Sequence, residues 1–263
     1  MQKIISWNVA SVRARLENVL KLLKDENPDV VFLQEIKATE ETFPSFEFLA
    51  AGYTAVICGQ KSYNGVAILS KHPLKNVVDK LPGLDEGDDQ ARFIQAEDQN
   101  GTVYISVYVP NGNPPEKDPT DTSKLTYKLQ WMKALYLHIK QLLDNKKSVV
   151  LGGDFNVIER DTDVYNPEAY RDNALMVPEV RQSFHELTLL PMVNAIREFN
   201  PDAHTYSFWD FQMQAWPKNF GMLLDALFVS NDIKGRLSSA GIYRDVRGWD
   251  KTSDHAPIFC VLD

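Results

Sequence analysis

Short apolar runs rich in β-branched and aromatic residues recur along this 263-residue chain, at 3–7, 30–33, 53–58, 66–69, 103–109, 148–151, 223–229 and 256–262. Each has the length of a strand and is bounded by turn chemistry. Between them, apolar residues fall at helical spacing: Leu16, Val19, Leu20 and Leu23, then Leu125, Leu129, Met132, Leu135 and Ile139. Pro178 opens a third such segment, carrying Val180, Phe184 and Leu187. Strand and helix signals are mixed throughout, and no composition break marks a linker. The pattern predicts an α/β fold in one domain over residues 1–263, with sheets covered by helices. A chain of this length buries roughly 70 to 75% of its unfolded surface, so its core needs no staples. Cys58 and Cys260 lie far apart in apolar stretches, the pattern of two free buried thiols in a reducing compartment. The first residues turn polar too soon for a signal peptide, and no apolar run approaches the roughly 20 residues of a membrane span. The expectation is a soluble, cytoplasmic, monomeric protein with no membrane partner.

The polar residues at the ends of the apolar runs carry more information. Asn8 follows the first run, Gln34-Glu35 the second, and Asn111 the run that contains Tyr108; Asp154 and Asn156 follow 148–151. Asp225 interrupts Leu223-Leu224 and Ala226-Leu227-Phe228, and Asp254-His255 precedes the last run. Any one of these reads most simply as a turn or cap residue. All six together at strand ends, which converge in space along one edge of a sheet, point to a site. Glu, Asp and Asn are hard oxygen ligands suited to Mg²⁺ or Mn²⁺, and no Cys or His cluster offers a softer alternative. His255, with Asp254 beside it and Asp225 on another strand, could supply an imidazole oriented by a carboxylate. A metal, an activated water and carboxamides that hold phosphate make up metal-assisted phosphodiester hydrolysis. Gly152-Gly153 reads only as punctuation between strand and loop, and the lack of a Gly-rich nucleotide cradle argues against an ATP-driven reaction. A weak echo links Ser6-Trp7-Asn8-Val9 to Asp154-Phe155-Asn156-Val157, consistent either with two related β-halves or with coincidence.

These residues sit in blocks that resemble the exonuclease III family of apurinic/apyrimidinic endonucleases, within the endonuclease/exonuclease/phosphatase superfamily. Pro28-Asp29-Val30-Val31-Phe32-Leu33-Gln34-Glu35-Ile36-Lys37 is similar to the N-terminal signature of that family. Gly153-Asp154-Phe155-Asn156, Tyr206-Ser207-Phe208-Trp209 and Ser253-Asp254-His255 match later blocks in order and separation. The resemblance implies a four-layer α/β sandwich, two packed mixed β-sheets flanked by helices. It also implies a nuclease acting on double-stranded DNA, cutting 5′ to abasic sites and trimming 3′ ends, with Mg²⁺ or Mn²⁺ as cofactor. By the same resemblance Glu35 is the main metal ligand, with Asn8 and Asp254 near the metal. His255, paired with Asp225, contacts the scissile phosphate. Asp154 orients or deprotonates the attacking water, Asn156 fixes it and the phosphate, Tyr108 and Asn111 hold the phosphate, and Trp209 lines a pocket for the baseless sugar.

The sequence departs from that pattern at Ala10, where the family usually has Asn or Asp, and at Leu223, where it places Arg. The segment Asn194-Ala195-Ile196-Arg197-Glu198 is a loose version of its counterpart, with Arg197 the best match. The charge of −8, from 28 Lys and Arg against 36 Asp and Glu, argues against a protein that coats nucleic acid. Its distribution is uneven: 3–24 holds five basic residues against one acidic, and 124–147 holds six against one. Each run reads as a solvated helix face. Arg13 and Arg15, just after Asn8, are nevertheless candidate phosphate contacts. Lys61, Tyr63 and Asn64 form either a second contact patch or a plain hairpin, and Trp209 either a pocket wall or a core aromatic. The loops at 111–123 and 159–178 are long enough to serve a function. Two other readings remain open: a phosphoesterase with the same machinery acting on a small-molecule or lipid phosphate, and a weakly active DNA-binding homologue.

Overall fold

The apolar runs become strands because both of their faces are covered. The computed structural model describes residues 1–263. In chain order it contains β1 (Gln2–Asn8), α1 (Leu16–Glu26), β2 (Val30–Gln34), α2 (Ser45–Ala50), β3 (Thr54–Cys58), β4 (Val66–Ser70), β5 (Lys75–Val78), β6 (Phe93–Glu97), β7 (Val103–Tyr108), α3 (Ser123–Asp144), β8 (Val149–Asp154), α4 (Pro178–Thr188), β9 (Met192–Asn194), α5 (Ala195–Phe199), α6 (Ala215–Lys218), β10 (Asp225–Ser230), β11 (Leu237–Ile242) and β12 (Ile258–Leu262). One six-stranded sheet has the order β11-β12-β1-β2-β4-β3, the other β5-β6-β7-β8-β10-β9.

Successive side chains of each central strand enter different layers. In β2, Val30 and Phe32 join the cluster between the sheets, with Ile4, Ile68, Tyr104, Val150 and Leu227. Val31 and Leu33 point the other way, to Val19, Leu22 and Leu23 of α1 and Phe48 of α2. In β8, Val149 and Leu151 meet Trp131 and Leu135 of α3 and Phe184 of α4. The period-two alternation thus builds the layers helix, sheet, sheet, helix, the expected four-layer α/β sandwich. No helix is long and apolar enough to cross a membrane.

Each sheet is mixed in the same way. β1 pairs parallel with β2 and antiparallel with β12, while β8 pairs parallel with β7 and antiparallel with β10. The sequence echo therefore falls on strands with the same place in their sheets. Four strands have no counterpart among the expected runs: β5, β6, β9 and β11. β5 is largely exposed, β9 has three residues, and β11 reads Leu-Ser-Ser-Ala-Gly-Ile; all three are edge strands without a continuous apolar run. The strand expected over 223–229 begins only at Asp225, and Leu223 and Leu224 are buried ahead of it. Lys128, grouped with the solvated cations of 124–147, is wholly buried instead.

The sheets approach closely at Gly152-Gly153, where side chains would intrude. A Cβ on Gly152 would lie 2.8 Å from Phe32 Cδ2, and one on Gly153 would lie 1.9 Å from the Val107 carbonyl oxygen on paired β7. The glycines that looked like punctuation are thus demanded by strand and sheet spacing. Gly153→Ala should lower the unfolding free energy by about 3 kcal/mol, read as a lower urea midpoint; an unchanged midpoint would show that the strand pair can open at no cost.

Candidate active site

The parallel pairs of the two sheets end at the same edge of the sandwich. Asn8 lies opposite Gln34 at the end of β1 and β2, and Tyr108 opposite Asp154 at the end of β7 and β8. Asp154 is also the register partner of Asp225, the first residue of β10. Glu35 and Asn156, just beyond these ends, have left-handed φ values of 49° and 50°. The chain turns sharply there, and the strand-end side chains face a shared space.

The Asn8 amide joins the sheets. Its Nδ2 donates to Glu35 Oε1 at 3.0 Å and to Asp154 Oδ2 at 2.9 Å. Its Oδ1 accepts from the Ala10 N–H at 3.1 Å, which closes the turn after β1 with Ala10 at φ 48°. Asp154 is held from its other side by the Asn156 N–H on Oδ1 at 2.9 Å. His255 stands between two carboxylates, with Nδ1 2.8 Å from Asp225 Oδ2 and Nε2 3.5 Å from Asp154 Oδ2. The Ser207 hydroxyl donates to Asp225 Oδ2 at 2.6 Å, and Asp225 Oδ1 is buried without a partner. The Trp7 indole N–H donates to the His255 carbonyl at 2.9 Å, which fixes the backbone on which the imidazole stands.

The charges follow from these contacts. Burial alone would lower the His255 pKa, but Asp225 and Asp154 drive it well above its ordinary value, so the ring is an imidazolium at neutral pH. Burial raises the Asp154 carboxyl, Asp225 adds to the rise, and His255 opposes it. Burial also works against the Glu35 anion, yet the Asn8 hydrogen bond and the nearby Lys37 ammonium outweigh it and hold Glu35 below the usual carboxylate range. Lys37 Nζ lies 2.9 Å from Glu35 Oε2. The Tyr108 phenol is pushed far up, first by burial and then by Glu35 and Asp154, so it remains a neutral O–H donor.

Asn156 Nδ2 donates to the Val109 carbonyl at 2.9 Å, and Asn111 Nδ2 lies 3.4 Å from Asn156 Oδ1. The two carboxamides thus form one wall beside Asp154. Asp254 connects to the centre through the Ser253 hydroxyl, which lies 2.6 Å from the Asn8 carbonyl and 3.2 Å from Asp254 Oδ1. A hard cation fits this donor chemistry, because Glu35 and Asp254 are carboxylates and Asn8 adds an amide. No group of three or more His, Cys, Asp or Glu side chains forms a closed metal cage.

The outlying candidates are arranged differently. Arg15 Nη1 donates to the Ala10 carbonyl at 3.0 Å, so it braces the turn beside Asn8, while Arg13 is exposed. Lys61 and Tyr63 are exposed on a loop, whereas Asn64 is buried and its carbonyl accepts from the Lys37 N–H at 3.0 Å. Asn64 therefore shapes the turn after Glu35. Trp209 is corrected by its surroundings: it is 0% exposed, its ring centroid 4.9 Å from that of Trp216, and its indole donates to Asn219 Oδ1. A side chain so enclosed lines no open pocket. Its neighbour Phe208 lies on the other side of the chain, edge-on to His255 at 4.9 Å and packed against a buried cluster that includes Leu175, Met222 and Leu224. Leu223, where an Arg was expected, is buried among the apolar residues between the sheets. Phe208, Ser207, Lys37 and Ser253 also touch the strand-end groups, and all four lie inside the blocks that carry the family resemblance.

Comparison with known proteins adds an independent line. A family model described as the Endonuclease/Exonuclease/phosphatase family matches residues 5–255. An exodeoxyribonuclease of Bacillus subtilis is 33% identical over 99% of both chains. The 3′ phosphatase NExo from Neisseria, solved bound to a product DNA hairpin, superposes with a TM-score of 0.94 at 33% identity over 100% of both chains. An AP endonuclease from Archaeoglobus fulgidus gives 0.92 at 31%, again over 100% of both.

A raised pKa keeps a base protonated as pH climbs. In the metal-free protein, the His255 ring nitrogens should thus keep imidazolium shifts between about pH 5 and 8, where an ordinary histidine loses its charge. Asp225→Asn should bring the titration back into that window. A wild-type imidazole that turns neutral near its ordinary pKa would contradict the paired-carboxylate account.

Proposed function

The chain belongs to the Endonuclease/Exonuclease/phosphatase family, and from that membership we propose a metal-dependent DNA-repair nuclease that hydrolyses the phosphodiester 5′ to abasic sites and trims 3′ ends. The observation that carries this reading is the chain Glu35, Asn8, Asp154, His255, Asp225, in which hydrogen bonds and ion pairs link an oxygen-donor end to a cationic imidazole. Phosphodiester hydrolysis needs both ends: positive charge beside the phosphate oxygens and a base beside the attacking water.

In this reading His255 Nε2 faces the phosphate and stabilises the negative charge that builds on it, while Asp225 keeps Nδ1 bonded and the ring charged. Asp154 Oδ2 receives the proton of the attacking water. A carboxyl raised by burial suits that task better than an ordinary one, because it holds the proton more firmly. Asn111 and Asn156 orient the phosphate with their amide groups, and the neutral Tyr108 hydroxyl donates to it. Glu35, Asn8 and Asp254 would hold Mg²⁺ or Mn²⁺, which supplies charge to polarise the phosphoryl oxygen when bound. Phe208 offers an apolar face to a deoxyribose without its base. In the same reading Arg13, Arg15, Lys61 and Tyr63 meet the DNA backbone, and the acidic surplus keeps that grip weak and sensitive to salt.

Glu35→Ala and His255→Ala should each slow cleavage of a duplex with one abasic analogue by about 10²- to 10³-fold with circular dichroism unchanged. EDTA should abolish cleavage and Mg²⁺ or Mn²⁺ restore it. Running 3′-phosphate and undamaged 3′ ends in parallel measures the share of each activity. Full activity in either variant, or faster turnover of an inositol phosphate than of DNA, would overturn the reading.

A further inference from the structure

Lys128 is a buried ionisable group to which the chemistry above gives no role. It lies on α3 with 0% exposure, and its stem reaches from the helix to the loops that follow β7 and β8. Burial drives its ammonium down to about 7, opposed only by the charge of Asp154. A cation so disfavoured persists where each of its protons has a partner. The three acceptors are main-chain carbonyls: Asn111 at 3.0 Å, Asn156 at 2.6 Å and Ala174 at 2.9 Å.

Those carbonyls belong to three segments far apart in the chain, and two of them carry the carboxamides that face the phosphate. We propose that Lys128 is a positioning residue, whose ammonium ties the loops after β7 and β8 and the segment around Ala174 into one wall and so holds the Asn111 and Asn156 side chains for phosphate binding. The inference rests on the nuclease reading given above. Further links close the same wall: Asn113 Nδ2 donates to Asn173 Oδ1 at 3.1 Å, and the Ala174 N–H donates to Asn113 Oδ1 at 2.9 Å. Gly112 is shaped by the same requirement. At φ 86° it lets the loop close on the lysine stem, and a Cβ there would stand 2.7 Å from Lys128 Cδ and 3.3 Å from Ala174 Cβ. The long 111–123 and 159–178 loops are thereby anchored at one buried point beside Asp154.

The test compares wild type, K128M, N156A and the double variant, with K133M on the same helix as an exposed control. Cleavage of an abasic duplex is measured beside the side-chain amide NMR signals of Asn111 and Asn156. K128M should lower kcat/KM by about 10- to 100-fold and shift or broaden both amide signals, and K133M should leave both readouts unchanged. Because Lys128 acts in part through Asn156, the double variant should lose less than the product of the two single losses, whereas a purely structural role gives losses that multiply. K128M activity within about twofold of wild type, unmoved amide signals or multiplying losses would overturn the proposal. If K128M does not fold, Gly112→Ala, which presses on the lysine stem, takes its place with the same expected outcomes. A wild type that cuts no DNA refutes the nuclease reading, and the amide signals of the variant then still decide whether Lys128 orders the wall.

Discussion

At the edge that carries the site, one carboxamide bridges the two sheets. Asn8 ends a strand of one sheet, Asp154 ends a strand of the other, and the Asn8 amide donates to Asp154 and Glu35 together. Both groups it meets are carboxylates, so a donor between them is what allows the two acids to face each other. A buried carboxylate left without such a partner costs about 1–3 kcal/mol or more. The distance between the sheets therefore has little freedom, and Gly152 and Gly153, which allow no side chain beside Phe32 and β7, are part of the same constraint.

Much of this was legible in the sequence because the signal repeats. Apolar runs buried on both faces announce central strands, and polar residues at their ends announce a shared edge. β5 and β11 were not legible, since edge strands with exposed or small residues lack a continuous apolar run. Trp209 and Phe208 show another limit. Adjacent aromatics on an extended chain point to opposite sides, and which one meets His255 depends on how the Trp209 side stacks on Trp216 and Tyr206, a tertiary fact. Lys128 shows a third: on a helix with other cations its spacing gives no sign of burial, because the carbonyls that receive it come from distant loops.

The net charge also takes on a local meaning. Of the 36 acids, Asp154, Asp163 and Asp225 are almost wholly buried. Two of them surround His255, while Asp163 pairs with Arg197, the best-matching residue of a loosely matching segment. These charges are engaged inside the protein and do not oppose a polyanion as surface acids would. The −8 describes the protein as seen from afar, and the site presents a different field to a phosphate within a few ångströms of it.

The pairing of β1 with β12 brings together residues remote in sequence, and Trp7 holds the His255 carbonyl across a separation of 248 positions. Closing so long a loop costs chain entropy before the contact returns any free energy. During synthesis Glu35, Asp154 and Asp225 emerge before His255, so a growing chain holds the acids of the site without the imidazolium that balances them. The strand-end site is then completed only when β12 docks against β1 and brings His255 to the acids.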